Sequence, residues 1–120
     1  MIHEEICTCE VAKLAKEKGF RETVGWYYNT NGLNLLKRGC NGGNPNLING
    51  LYSAPTQSLL QRSLREEKRL HITVLFDNNK FWWQIKNLEN GNSEYGEVED
   101  FPTYELALED ALKYALENLI

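Results

Sequence analysis

The chain has 120 residues, of which 42% are hydrophobic and 25% charged, and its formal net charge is −4. This length fits one domain that buries roughly 65% of its unfolded surface, so a stable core needs neither disulfides nor a metal. The composition excludes intrinsic disorder, and no apolar run approaches the ~20 residues of a membrane span. The first ten residues lack the basic segment of a secretory signal. We therefore predict a single cytoplasmic domain over residues 1–120.

Charge is distributed unevenly along the chain. Residues 1–72 contain ten Lys/Arg and seven Asp/Glu, whereas residues 73–120 contain three Lys/Arg and ten Asp/Glu. Such asymmetry can mark a face for an anionic partner or help two subunits pair head to tail. The simpler interpretation, which we favour, is that both ends carry ordinary solvated helix faces.

Residues 9–18 are predicted to form the first helix. Thr8 is a suitable N-cap, Glu10 lies in the first turn, and Gly19 can end the helix in the left-handed conformation. A hairpin is predicted next, because the turn sequence NTNG separates apolar residues that alternate along the chain: Val24, Trp26 and Tyr28 before it, Leu33 and Leu35 after it. Residues 39–50, GCNGGNPNLING, are predicted to be a loop that is either mobile or ligand-binding.

The second helix is predicted over residues 56–68. Thr56, after Pro55, is the expected N-cap, and Leu60 and Leu64 are spaced i, i+4 on the buried side. Leu59 widens the buried stripe.

An aromatic hairpin over residues 71–86 is the most strongly determined element. The segments HITVLF and KFWWQI flank DNNK, and Asn78-Asn79 suits a two-residue type I′ turn because Asn tolerates positive φ. The resulting register places Asp77 opposite Lys80. It also gives three apolar pairs on one face, all predicted to be core: Phe76 with Phe81, Val74 with Trp83, and Ile72 with Ile85.

The end of the chain is predicted to contain one more helix. Residues 89–96 are expected to be a polar connection, and a short strand is expected around Glu97 to Phe101. Thr103 is the expected N-cap, with Glu105 in the first turn. The predicted buried face consists of Leu108, Ala111, Leu112, Ala115 and Leu119.

These elements predict an α+β fold. Its antiparallel sheet is expected to consist of two hairpins plus the short strand, with about three helices packed on one face.

Two stretches together resemble a known group of proteins. The first runs Ala54-Pro55-Thr56-Gln57-Ser58 through Leu64-Arg65-Glu66 to His71-Ile72-x-Val74, and the second is Phe101-x-Thr103-Tyr104-Glu105-x-Ala107-Leu108. In this order, with an aromatic hairpin between them, the chain resembles small proteins of Bacteroidetes prophages and mobile elements over residues 8–120. The motifs are a fold signature, so the resemblance implies genomic context and no catalytic residues. Ser63 departs from the pattern, in which a tryptophan packed on the sheet is expected, and Trp82 or Trp83 is expected to fill that space.

A second resemblance concerns the end of the chain. A strand followed by F-x-T-x-E-x-A-L resembles the core of HicB-type antitoxins, which is compatible with nucleic-acid binding.

Candidate metal ligands and nucleophiles are few. His3, Cys7, Cys9 and Cys40 form the only metal-type set, but their spacing lacks the paired clips of a zinc site, so free thiols are favoured. Cys40 with His71, or Cys9 at a helix N-terminus, would be a nucleophile, but no orienting carboxylate is placed beside either. No phosphate-binding glycine motif and no calcium loop are present. We predict no cofactor, no metal and no enzymatic activity.

Four basic residues, here called the basic stripe, raise the alternative of nucleic-acid binding. On a helical wheel Arg62, Arg65 and Arg69 fall within about 60° of one another, and Lys68 lies nearby. Glu66 and Glu67 interrupt the stripe, and Arg62 with Glu66 forms an i, i+4 pair that partly neutralises it. A pI of about 5.2 is also unlike a typical DNA-binding domain. Nucleic-acid binding is therefore the second hypothesis.

Leu75 and Trp82 are the candidates for a protein interface. The predicted register places them opposite each other on the face of the hairpin that points away from the core, flanked by Thr73 and Gln84. A Trp–Leu pair with polar neighbours is typical of a contact site, although the loop 39–50 could instead cover it. The first hypothesis is therefore a non-enzymatic accessory protein of a phage or mobile element, acting on a protein partner or as a homodimer, without membrane binding.

The thiols are expected to be metal-independent, because the spacing of the candidate ligands is poor. Elemental analysis of protein purified without added metal should show no stoichiometric zinc. Zinc at one atom per chain that is lost on Cys7→Ser would contradict this prediction.

Overall fold

The computed structural model describes residues 4–22, 24–29, 35–37, 46, 50–95 and 100–120. These ranges contain three α-helices and six β-strands, and the strands form two antiparallel three-stranded sheets. The predicted α+β class is confirmed, but the two hairpins belong to two separate sheets and not to the single predicted sheet. Within the same ranges, no helix combines the length and apolarity that crossing a bilayer requires.

The chain divides into two compact units, Met1–Thr56 and Gln57–Ile120. A single domain over residues 1–120 stays a prediction. Among the described residues, the first unit has one helix and the second has two, and each unit has its own sheet and its own buried residues.

The helix of the first unit, α1, spans Cys9–Glu17 and agrees with the prediction to within one residue. The Thr8 hydroxyl accepts a hydrogen bond from the backbone N–H of Val11 at 3.4 Å, as an N-cap does. Gly19 has φ of 91° at the other end. The N–H of Phe20 then donates to the carbonyl of Ala15 at 2.9 Å, which closes the helix.

The first sheet consists of β1 (Trp26–Tyr28), β2 (Leu35–Lys37) and β3 (Tyr52–Ser53), in the order β2-β1-β3. The predicted antiparallel pairing of the first two strands is confirmed, while the turn between them lies outside the described residues. The sequence does not predict β3, because two residues after a glycine-rich segment show no alternation to detect.

Only Asn46 and Gly50 of the predicted loop 39–50 belong to the described residues. The Asn46 side chain donates to the carbonyl of Phe20 and accepts from the N–H of Ser53, both at 2.7 Å. This amide therefore ties the end of α1 to β3.

The second unit contains α2 (Gln57–Glu67), β4 (Leu70–Asp77), β5 (Lys80–Asn87), β6 (Ser93–Tyr95) and α3 (Tyr104–Asn118). Its sheet has the order β4-β5-β6. α2 packs on β4, and α3 packs on β4, β5 and α2. Ser63, where the resemblance leads one to expect a tryptophan, is buried in α2, and its hydroxyl donates to Glu67 at 3.4 Å.

The buried Gln57 joins the two helices of this unit. Its side-chain amide donates to the carbonyl of Glu105 and to the carboxylate of Glu109, both at 2.9 Å. A buried amide whose donors are both used stabilises one helix arrangement over others.

The predicted register of the aromatic hairpin is confirmed at every pair from Ile72↔Ile85 to Asp77↔Lys80. Asn78 and Asn79 have φ of 51° and 61°, the signs that a type I′ turn requires. Ile72, Trp83 and Ile85 are almost completely buried, as expected.

The core prediction is wrong for Phe76, which is 61% exposed. Phe76 lies in the last apolar pair before the turn, and its ring contacts Phe81 at a centroid distance of 4.9 Å. The ring of Phe81 in turn meets Tyr104, the first residue of α3, at 6.2 Å. Alternation selects the face of a side chain, but the position at which α3 begins decides how much of that face is covered.

One further prediction needs correction after β5, and another falls largely outside the described residues. Residues 89–96 include strand β6, because a turn at Asn87–Asn92 reverses the chain: the Asn87 side chain accepts from the N–H groups of Glu89 and Asn90, and Gly91 has φ of 77°. The short strand expected around Glu97–Phe101 is described only at its end, where Phe101 forms an isolated bridge with Phe81.

α3 begins as predicted, with the Thr103 hydroxyl accepting from the N–H of Leu106 at 3.1 Å. Its buried face contains four of the five predicted residues and also Ala107 at its start. At its end Leu116 is buried and Leu119 is only half-buried. Leu119 follows the last helical residue as the C-cap, with φ of −114°, so it leaves the helical spacing on which the prediction depends.

Trp83 anchors α3 to the sheet. It is 2% exposed, its indole N–H donates to the Asp110 carboxylate at 2.8 Å, and its ring contacts Tyr114 at 5.1 Å. Trp83→Ala should lower the free energy of unfolding by about 3–5 kcal/mol, since it leaves a large cavity in the core. Urea denaturation followed by circular dichroism measures this loss.

The half-exposed Leu88 provides the control for Trp83. Leu88→Ala should cost less than about 1 kcal/mol. Similar losses for the two variants would show that Trp83 does not anchor α3.

Candidate protein-interaction surface

The sheet of the second unit has two unlike faces. One carries Ile72, Trp83 and Ile85, and the bond from Trp83 to Asp110 shows that α3 covers this face. Glu94 of β6 also belongs to it, since the Tyr114 hydroxyl donates to Glu94 at 3.4 Å. The other face, here called the outer face, carries the alternate residues of the strands: His71, Thr73, Leu75, Asp77, Lys80, Trp82, Gln84, Lys86, Ser93 and Tyr95.

An apolar row forms the centre of the outer face. Leu75 pairs directly with Trp82 across β4 and β5, as predicted. The Trp82 ring contacts Tyr95 of β6, with centroids 6.1 Å apart and planes inclined at 35°. Leu75 and Trp82 are half-buried, and Tyr95 is 49% exposed. The three residues, here called the Leu75–Trp82–Tyr95 row, run diagonally across all three strands.

Polar side chains flank this row. The Gln84 amide reaches the hydroxyls of Ser93 and Tyr95 at 3.4 and 3.5 Å. His71 pairs with Lys86 toward one end of the hairpin, and Asp77 pairs with Lys80 at the other. An apolar centre with an aromatic anchor and a polar rim is the usual anatomy of a protein–protein contact.

Tyr95 is the member of the row that sequence reasoning misses. Residues 89–96 are predicted to be a polar connection, so Ser93, Glu94 and Tyr95 are not recognised as a strand with alternating faces. The available signal is the turn sequence NLENGN at residues 87–92, whose Asn and Gly residues favour a reversal directly after a strand.

The structure separates the basic stripe. Arg62 and Arg65 lie on α2, and Arg62 pairs with Glu66 at 3.1 Å, as predicted. The helix ends at Glu67, and Arg69 has φ of 60°. The Arg69 carbonyl accepts from the N–H of Leu88 at 2.8 Å, so Arg69 belongs to the entry of β4 and not to the helix. The helical-wheel alignment is therefore wrong for Arg69, whereas the N–H of Lys68 still bonds to the carbonyl of Leu64 at 3.1 Å and closes the last turn of the helix.

The cysteines take different positions. Cys7 is buried; its N–H donates to the carbonyl of Pro55 at 2.9 Å, and its carbonyl accepts from the Tyr28 hydroxyl at 2.7 Å. Cys9 is the first residue of α1. His3 and Cys40 lie outside the described residues.

His71, the other residue considered for catalysis, is exposed on the outer face. In the part of the chain that the structure describes, no three His, Cys, Asp or Glu residues are grouped as metal ligands.

Comparison of the chain with protein-family models, with curated proteins and with solved structures finds no significant match.

The separated basic stripe generates a prediction about DNA. Because Arg62 is paired with Glu66 and Arg69 has left the helix, binding to duplex DNA at about 150 mM salt should be absent or non-specific, with Kd of about 10⁻⁴ M. Fluorescence anisotropy with a labelled duplex measures it. Sub-micromolar binding that weakens in the double variant Arg62→Ala, Arg65→Ala would favour the nucleic-acid hypothesis instead.

Proposed function

We propose that this chain is a non-enzymatic interaction protein that contacts a protein partner, or a second copy of itself, through the outer face. The Leu75–Trp82–Tyr95 row is the observation that carries this proposal. A tryptophan and a tyrosine are grouped there on the face of the sheet opposite the one that α3 covers. Tryptophan and tyrosine are the residues most often responsible for binding energy at protein interfaces.

The chemistry of the row supports protein contact. A half-buried tryptophan supplies a large apolar area with two rotatable bonds, so little conformational entropy is lost when a partner covers it. The amide of Gln84 and the hydroxyls of Ser93 and Tyr95 surround it with groups that can exchange their mutual hydrogen bonds for bonds to a partner.

The wider role follows from the resemblance to proteins of prophages and mobile elements. It supports an accessory function of phage or mobile-element origin in the cytoplasm.

Nucleic-acid binding is the second candidate. Arg62 and Arg65 remain on α2 and favour it, but only these two residues of the basic stripe belong to the helix. Protein contact through the outer face therefore ranks first.

A photo-cross-linking experiment tests the proposal. A benzophenone amino acid replaces Trp82 in the full chain, which is produced in the cells of its origin and irradiated. Adducts with a protein, either another chain or a second copy, are expected at this position. The control position is Leu88, which is also partly exposed but lies in the turn after β5. Equal adduct yields at both positions, or none at Trp82, would contradict the proposal.

Trp82→Ala separates binding from folding. The variant should lose the contact, while its circular dichroism and melting temperature stay close to those of the unchanged chain. If it loses roughly 3 kcal/mol or more, as a core deletion does, Trp82 is part of the core and the proposal fails.

A further inference from the structure

We propose, building on the proposed function, that a second copy of the chain occupies this surface, with the two β4 strands pairing antiparallel around a two-fold axis at Leu75. This pairing would join the two second-unit sheets into one continuous sheet. It assigns a role to the outer edge of β4, which the proposed function does not use.

Among the described strands β4 lies at an edge, because the sheet order is β4-β5-β6. Its eight residues, LHITVLFD, contain no proline and no lysine, and their pairing with β5 continues without a bulge from Leu70 to Asp77. Proteins usually protect a long apolar edge with prolines, lysines or bulges, because an unprotected edge is a template for strand pairing. β4 has none of these three.

The turn determines which backbone N–H and carbonyl groups of β4 point toward β5 and which point away from it. The pair that flanks a two-residue turn, here Asp77 and Lys80, exchanges hydrogen bonds, and such pairs then alternate along the hairpin. The N–H and carbonyl of Phe81 bond to Phe101 at 2.8 and 2.7 Å, so Phe81 does not bond to Phe76 opposite it. The backbone groups of Phe76, Val74 and Ile72 therefore point outward from the sheet.

Part of this outer edge is already used. The Gln61 side chain of α2 donates to the carbonyl of Ile72 at 2.9 Å. Among the described residues, no main-chain partner lies on the outer side of Val74 or Phe76. The open part of the edge is therefore the half nearer the turn.

These constraints select one register. Residues paired across a two-fold axis perpendicular to the sheet must lie on the same face. They must also exchange hydrogen bonds through outward groups. Pairing Val74 with Phe76 of the second copy meets both conditions. It also keeps the hydrogen bond from Gln61 to the Ile72 carbonyl. Centring the axis on Val74 would instead pair Phe76 with Ile72, whose carbonyl Gln61 already holds. Centring it on Phe76 would place Val74 opposite Asn78, a turn residue with φ of 51°, and so leave only one hydrogen-bonded strand pair.

The selected register complements the side chains on both faces. On the outer face, Leu75 meets Leu75 of the second copy in a pair without hydrogen bonds, where side chains approach most closely. Trp82 flanks Leu75 in each copy, so the two apolar rows become one. On the other face Phe76, which is 61% exposed, lies beside Val74 of the second copy. The Thr73 hydroxyl faces the Asp77 carboxylate, to which it can donate.

Disulfide trapping tests the register. In Leu75→Cys the two introduced thiols would lie across the axis, with Cα atoms about 4.5 Å apart, which a disulfide spans. Mild oxidation should give a covalent dimer. Peptide mass mapping should place the link between the two introduced thiols, which excludes the native cysteines.

Thr73→Cys and Asp77→Cys are matched controls on the same strand and face. Neither variant should link to a second copy of itself, because its introduced thiol lies opposite an unchanged residue. A mixture of the two variants should nevertheless form a disulfide-linked dimer between the two introduced thiols, with Leu75 retained in both chains.

Sedimentation of the full chain tests the pairing itself. The unchanged protein should be a dimer, and Leu75→Lys should weaken association by roughly tenfold or more, because like charges directly opposite destabilise a strand pair. A monomeric unchanged protein, or Thr73→Cys that links to itself as readily as Leu75→Cys, would overturn the inference. Cross-links from Trp82 to a different protein would then still support the proposed function, so the two failures are distinguishable.

Discussion

The two-residue turn at Asn78 and Asn79 is the constraint on which the second unit depends. With both residues at positive φ, the turn fixes Asp77 opposite Lys80, and every other pair of β4 and β5 follows. A slip by one residue would exchange the faces, placing Trp82 under α3 and Trp83 on the outer face. The core, the apolar row and the outward backbone groups of β4 all derive from this one register.

The adjacent residues Trp82 and Trp83 have the same side chain but differ in burial and in contacts, because they lie on opposite faces of the sheet. Trp83 is 2% exposed, bonds to Asp110 and contacts Tyr114, so its contribution is to the stability of the unit. Trp82 points the other way and contacts only Tyr95 among the aromatic rings of the described residues. The same side chain therefore anchors a helix at one position and lies half-buried on the outer face at the next.

α2 contributes to the core of the second unit and also occupies part of the edge of β4. Leu60 and Leu64 bury its apolar side, while Gln61 reaches the edge of β4 and holds the Ile72 carbonyl. This single bond divides the edge into a used half and an open half near the turn. The early end of the helix also removes Arg69 from the basic residues, which weakens the case for an electrostatic surface and leaves the apolar row as the more distinctive feature.

The sequence by itself determined the features that depend on neighbouring residues: the caps at Thr8 and Thr103, the type I′ turn, the hairpin register, and the opposition of Leu75 and Trp82. Tertiary structure decided what depends on where distant elements begin and end. Phe76 is exposed because α3 starts too late to cover it, and Leu116 replaces Leu119 because the helix stops first. Tyr95 joined the row only when the turn after Asn87 brought a third strand beside β5. Local sequence patterns determine which way a side chain points. Its burial and its contacts depend on which distant segment packs against it, and the periodicity of the sequence does not specify that segment.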